Sequence, residues 1–201
     1  MLTKKEKREL LRLVVHRNEH LKGSRSWDVL EYCIMLLLMV VLAFSIRAVL
    51  VEPMRVRGSS MEVTLLPGDY MAVEKISYIY KPMERGDVVI CYYPNNDKYT
   101  CVKRIIGFAG DTITIEGGVV SVNGVELRED YVTTGLTPKH DGTYEVETGC
   151  IFVMGDTRLV SRDSTDGMVG SVPAERVIGR VRRVLLPFSR SKKLSDIQYD
   201  V

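Results

Sequence analysis

A lysine inside an apolar run and two serines behind a glycine are the residues of this chain best suited to chemistry. Lys103 sits in Thr100-Cys101-Val102-Lys103-Arg104-Ile105-Ile106. The serines sit in Arg57-Gly58-Ser59-Ser60-Met61. A serine hydroxyl is a weak nucleophile until a base takes its proton. Lysine can be that base when burial disfavours its ammonium form, whose reference pKa is about 10.4. A β-branched strand supplies such burial. Alternation along it places Cys101, Lys103 and Ile105 on one face and Val102, Arg104 and Ile106 on the other. On periodicity alone, a half-exposed strand with two solvent-facing charges is the better reading. On its own, the glycine–serine segment is better read as an ordinary turn.

Other chemistries have less to work with. The chain has three histidines, His16, His20 and His140. The first two fall in the basic N-terminal region, and His140 stands in a polar turn with Pro138, Lys139, Asp141 and Gly142. A surface-turn histidine is usually just solvated. No His-Glu-x-x-His pattern, Cys-x-x-Cys pair or phosphate-cradling glycine loop occurs, so no metal or cofactor is expected. Transpeptidation by Cys101 or Cys150 with His140 and Arg158 lacks a recognisable motif around either cysteine.

The elements that must position these residues divide sharply along the chain. Its 201 residues are 45% apolar and 27% charged, enough for a packed core. The net charge of +2 excludes a broadly basic nucleic-acid binder. That small balance hides an asymmetry. Residues 1–27 hold eight Lys/Arg against Glu6, Glu9 and Glu19, a surplus of five, so the remainder is acidic. Next comes an uncharged run from Tyr32 to Ile46, which Arg47 to Val51 extend to the length of a membrane span. Trp27 and Tyr32 suit one interface, and Arg47 can snorkel at the other.

This reads as a basic cytoplasmic tail (1–27), a transmembrane signal anchor (28–51) and an extracytoplasmic domain (52–201). The basic flank predicts that the N-terminus stays inside. A cleaved signal peptide fits poorly, because no small-x-small site follows the apolar run. Within the tail, Thr3 and Glu6 are spaced as a capping box, and Leu10, Leu11, Val14 and Val15 share a helical face. A membrane-surface helix and a plain topology signal explain these equally well.

From residue 53 onward short strands alternate with turn signals. Strands are expected at 54–57, 70–76, 87–93, 99–106, 111–115, 119–122, 125–127, 151–154 and 177–186. Asn123-Gly124 is a strong two-residue hairpin signal. Residues 128–149 read as a polar flap. The expected class is an all-β sandwich or partly open barrel behind one N-terminal transmembrane helix. Cys91 and Cys101 flank the Pro94–Asp97 turn. A direct hairpin register sets them opposite each other, whereas a one-residue shift separates them.

Taken together and in order, these segments resemble type I signal peptidases, the bacterial membrane-bound Ser/Lys leader peptidases. The resemblance runs from the span to about residue 184. It rests on 52–65 around Ser60-Met61, on Gly68-Asp69 with Val73-Glu74-Lys75, and on Arg85-Gly86-Asp87-Val88-Val89. It continues through Lys103–Gly107 with Gly110-Asp111, and through Phe152–Asp156 with Arg158, Ser161, Asp163 and Ser164. Each block alone is weak, but the ordered set is specific.

The resemblance implies a membrane-bound serine endopeptidase that removes signal peptides from secreted preproteins through an acyl-enzyme. It implies Ser60 as nucleophile and Lys103 as general base, with Ser161 orienting the lysine and Asp163 an orienting carboxylate. The Ser60 backbone N–H is the implied oxyanion donor. An extended leader would add as a strand beside 54–58 and 70–75, with Val56, Gly58, Met61 and Ile106 around small side-chain pockets. The implied partners are signal peptides and membrane lipids, not nucleic acid, and the implied place is the bacterial cytoplasmic membrane.

Four positions depart from the family pattern. Gly58 replaces a serine that often supplies a second oxyanion donor. Val63 and Ala109 replace prolines, and Thr165 replaces an arginine that would pair with Asp163. Ser164 and Asp166 offer a second frame for the last block, but unbroken spacing from Gly155 favours Ser161 and Asp163. Two rival readings stand beside this one. A repressor-type Ser/Lys autoprotease shares the Ser-Met and later-Lys logic but not the span. A catalytically silent, membrane-tethered β scaffold need not keep Ser60, Lys103 and Ser161 together.

Overall fold

The computed structural model describes residues 5–10, 12–13, 25–94, 96–132, 140–194, 197 and 199. The chain forms two compact units, residues 1–49 and 50–201. In the first, residues 5–10 and 12–13 are helical. Thr3, Leu11, Val14, Val15, His16 and His20 lie outside the described residues. Helix α1 spans Arg25–Leu50. Its stretch Trp27–Ser45 has a mean hydropathy of 2.1 and is long and apolar enough to cross a membrane. Leu36, Leu37 and Phe44 are all at least 60% exposed to solvent. Such a surface is costly in water and suited to hydrocarbon.

The second unit is built almost entirely of antiparallel strands. The larger sheet comprises β1 (Val51–Arg55), β2 (Tyr70–Glu74), β3 (Val88–Tyr93), β4 (Asn96–Phe108), β9 (Cys150–Met154), β10 (Val172–Pro173), β11 (Val177–Leu186) and β12 (Lys192–Lys193). Its order is β1-β2-β11-β3-β4-β9-β10, with β12 beside β11. The smaller sheet comprises β5 (Thr112–Glu116), β6 (Val119–Val122), β7 (Val125–Glu126) and β8 (Gly142–Glu145), in the order β7-β6-β5-β8. Among the described residues of this unit, the only α-helix is one turn at Ser77–Tyr80. The protein is thus mostly β with one N-terminal apolar helix, as expected.

Most predicted strands fall within a few residues of observed ones, and β6 and β11 match in full. Asn123 and Gly124 adopt φ of 51° and 82°, the paired left-handed conformation that a two-residue hairpin requires. One segment departs from expectation. The stretch read as a polar flap contributes β8, which pairs with β5 from Thr112↔Glu145 to Ile115↔Gly142. Only alternate residues of β8 are even partly buried, so its sequence carries little apolar signal.

The large sheet is buried on both faces around β3. Val88 and Ile90 join one cluster with Met61, Leu65, Met71 and Val181. Val89 and Cys91 join another with Ile105, Ile151 and Val153. This two-sided burial explains the unbroken apolar run of β3. A third cluster joins Ile106, Phe152 and Met154 to Ile113, Ile115 and Val122 of the small sheet. Strand β4 spans all three. Its first half pairs with β3 and its second half with β9, with a register shift between Ile105 and Gly107. At Gly107 a β-carbon would lie 2.7 Å from Ile113 Cδ1, so a larger residue there would require Ile113 of the small sheet to shift.

Candidate active site

Strand β4 aims its two adjacent cations in opposite directions, as alternation requires, but neither reaches solvent. Lys103 is 1% exposed and Arg104 2%. The reading of two solvated surface charges therefore does not describe this strand. Lys103 Nζ donates a hydrogen bond to Ser161 Oγ at 2.8 Å. Burial pushes the Lys103 ammonium below its ordinary pKa, opposed by the negative charge of Asp163 and by Cys101 and Cys91. Desolvation is the largest of these influences, so the neutral amine is favoured relative to a free lysine.

Arg104 anchors the other side. Its guanidinium reaches both carboxylate oxygens of Asp156, with Nε to Oδ1 at 2.9 Å and NH2 to Oδ2 at 2.6 Å. It also donates to the Gly86 carbonyl at 2.8 Å and stacks 4.0 Å from the centre of the Tyr131 ring. Buried charges persist only when paired and hydrogen-bonded in this way.

Asp156 belongs to the loop after β9, and that loop grips the turn bearing Ser60. The Thr157 N–H donates to the Ser60 carbonyl at 2.9 Å. Thr157 Oγ1 accepts the Glu62 N–H at 3.1 Å. The Asp156 N–H approaches Met61 Sδ at 3.4 Å, and the Thr64 hydroxyl donates to the Asp156 carboxylate. The turn itself is tight, with Glu62 N–H to Ser59 O at 3.0 Å and Thr64 N–H to Met61 O at 2.8 Å. Gly155 completes the contact. A β-carbon there would lie 2.3 Å from Ser161 Oγ and 2.6 Å from the Ser60 carbonyl oxygen. One atom's volume thus touches both the serine that holds Lys103 and the backbone of Ser60.

Asp163 fastens the same loop from within. Its Oδ2 accepts the Gly155 N–H at 3.0 Å. Its Oδ1 accepts the Thr165 hydroxyl at 2.7 Å and the Thr165 N–H at 3.2 Å. Thr165, standing where an arginine was anticipated, supplies neutral donors in place of a salt bridge. Ser164 instead accepts the Val153 N–H at 3.0 Å, away from Lys103. Ser161, not Ser164, is therefore the serine beside the amine. Sequence reasoning missed Thr157 and the Arg104–Asp156–Thr64 chain. Their only sequence signal was their position inside the matched blocks.

A groove of about 430 Å³ has Ser60 in its lining. Met54 to Gly58 line it together with Tyr93 and Thr100 to Val102. Met61, Met71 and Ile90 also line it. Val56, Gly58 and Met61 are among its lining residues. Ile106 does not line it. Four residues beyond Val102, at about 3.3 Å per residue, it has left the groove and packs between the two sheets. The edge expected to receive an extended leader also needs correction. Strand β2 already has β1 on one side and β11 on the other, so residues 70–75 offer no free edge. The open edge belongs to β1 and its continuation. His140 is exposed, and its carbonyl accepts the Tyr144 hydroxyl at 3.2 Å.

Comparison with known proteins identifies the family. The family described as signal peptidase, peptidase S26, matches residues 29–186. Signal peptidase I of Bacillus licheniformis is 34% identical over 184 residues, covering 87% of this chain and 98% of that protein. Signal peptidase I of Bacillus amyloliquefaciens is 38% identical, covering 83% and 89%. Signal peptidase IB of Staphylococcus aureus is 31% identical, covering 82% and 93%. A crystal structure of a signal peptidase I from Enterococcus faecalis aligns at 30% identity and a TM-score of 0.44, covering 52% of this chain and 97% of that one. The chain belongs to the signal peptidase family, peptidase S26, and is a peptide-bond hydrolase.

Proposed function

We propose that this protein is a membrane-tethered endopeptidase that removes signal peptides from secreted preproteins, using Ser60 as nucleophile and Lys103 as general base. The observation that carries this reading is the buried Lys103, with its amine on Ser161 Oγ at 2.8 Å, next in the chain to Cys101 and Val102, which line the same groove as Ser60. A buried lysine with no carboxylate partner at hydrogen-bond distance among the described residues is costly to keep for structure alone. A proton acceptor for a serine has a use for that setting.

In the proposed cycle the neutral Lys103 amine takes the Ser60 hydroxyl proton as Oγ attacks the scissile carbonyl. The Ser60 N–H donates to the developing oxyanion. Collapse breaks the peptide bond, and the Lys103 ammonium returns its proton to the leaving amine. An ester to Ser60 remains, and Lys103 next deprotonates the water that hydrolyses it. Ser161 orients the amine, and Asp163 holds the Gly155 loop against Ser60. The leader lies extended along the groove, pairing with the open edge at 54–58, with Val56 and Met61 restricting its side chains to small ones. Helix α1 crosses the cytoplasmic membrane with its basic flank inside, so the peptidase unit faces the exterior and meets lipid and substrate together.

The test is cleavage of a signal-peptide substrate in detergent micelles by wild type, Ser60→Ala and Lys103→Ala. Cleavage after a small residue that falls at least about 10³-fold in both variants is the expected result. Activity surviving in either variant removes that residue from the mechanism. A folded wild type that cuts no preprotein returns the silent-scaffold reading.

A further inference from the structure

Two thiols that the proposed cycle leaves unused lie next to its base. Cys91 on β3 and Cys101 on β4 are direct partners in the antiparallel register. Both are thiols, with sulfurs 3.4 Å apart. Directly opposed residues in such a pair have Cα atoms about 4.5–5.5 Å apart, within the range a disulfide accepts. The two thiols differ in access. Cys101 is half-buried and lines the groove, whereas Cys91 is fully buried beside Val89 and Ile105. They differ in acidity as well. The hydrogen bond from Cys91 lowers the Cys101 pKa, while that contact and burial raise the Cys91 pKa. A thiol of depressed pKa with access to the groove is the one that meets an external disulfide first.

We propose that Cys91 and Cys101 are a reversible dithiol–disulfide pair in the groove wall, in which Cys101 exchanges with a small organic disulfide and Cys91 resolves the product. In the first step the Cys101 thiolate attacks one sulfur of R–S–S–R. A Cys101–S–S–R bond forms and RS⁻ departs. In the second, the Cys91 thiolate attacks Cys101 Sγ. The Cys91–Cys101 bond forms and the second RS⁻ departs. Two protein thiols lose two protons and two electrons, and one disulfide becomes two thiols.

The mixed disulfide holds R inside the groove. Resolution by Cys91 expels it and leaves the groove open, so the buried thiol protects the site from lasting capping. That the groove receives substrate rests on the reading above, but the exchange chemistry does not.

The experiment treats the full chain in detergent micelles with oxidised glutathione. Free thiols, intact mass and peptide linkages are then measured, alongside signal-peptide cleavage on the same samples. Wild type is expected to lose two of its four thiols, with Cys91 and Cys101 peptides joined, no glutathione on Cys101 and cleavage retained. Cys91→Ala is expected to keep one glutathione on Cys101 and to lose most of its cleavage relative to the same variant untreated, with dithiothreitol restoring both. Cys91→Ser serves if the alanine variant does not fold, and the wild-type linkage map decides independently of either. A wild type that keeps all four thiols, or one with glutathione lasting on Cys101, overturns the proposal. Cys91→Ala left unmodified at Cys101 does so too. Loss of cleavage in every sample, untreated wild type included, counts against the Ser/Lys reading and leaves the linkage map to judge the pair.

Discussion

The role proposed for Lys103 as general base comes at the expense of stability, and the sign of that exchange can be measured. Burial lowers its pKa from the usual lysine value, so the unfolded chain binds a proton that the folded chain tends to release. Stability therefore rises with pH between the folded pKa and about 10.4, and the charged form is the one that costs below that window. Lys103→Met should abolish cleavage yet melt at or above the wild-type temperature at neutral pH. A marked drop in Tm would mean that the amine stabilises the fold. The same depression predicts that kcat/KM for a peptide rises with pH on an acid limb set by Lys103, below the pH at which a free lysine titrates.

Gly58 offers a second residue-scale prediction. A β-carbon there meets nothing within 4 Å, and the backbone is not left-handed. Gly58→Ser should therefore fold normally and add a hydroxyl beside the developing oxyanion, raising kcat up to about tenfold with little change in KM. An unchanged kcat would place that hydroxyl out of reach.

At the scale of elements, the site is an agreement between one strand and one loop. Strand β4 carries Lys103 and Arg104 on opposite faces. Residues 155–163 return to both, Ser161 to the lysine and Asp156 to the arginine. The same loop then clasps the Ser60 turn through Thr157. Gly155 is the tightest point, and Gly155→Ala should force the two serines apart. Overpacking of this kind costs about 1–3 kcal/mol. A displacement near 1 Å lowers kcat by about 10²-fold. Near-normal kcat with reduced Tm would show that the loop's position matters less than its packing.

This dependence also explains what could be read from the sequence. Strands showed where β-branched runs alternate or where glycine turns bound them, as at Val119–Val122 and Val177–Leu186. Strand β8 did not show, because Gly142–Glu145 buries too little apolar surface to leave a pattern. Ser60, Lys103 and Ser161 stood out by residue type and block order. Thr157 and Gly155 act through backbone contacts about 95 residues away in the chain, which no local pattern encodes. Ile106 entered the pocket set through the family resemblance alone, and in the fold it packs in the cluster that joins the two sheets.

For the whole molecule, the two units have separable roles. Residues 50–201 hold all three apolar clusters and both sheets, which is what a domain needs to fold by itself. Helix α1 buries nothing comparable, and its exposed leucines suit lipid. If tethering contributes by confinement, its removal should spare the chemistry and weaken only the encounter with membrane-bound substrate. A chain beginning at Leu50 should cleave a short soluble peptide with kcat near that of the full protein. On a preprotein reconstituted in vesicles it should be slower by about 10² or more, because binding in the plane of a shared bilayer replaces a dilute encounter with a high effective concentration. The ratio of the two rates isolates the tether from the active site, since any damage to the active site lowers both. Equal losses on the two substrates would show that the helix supports the fold of the peptidase unit, and equal retention would show that confinement contributes little to turnover.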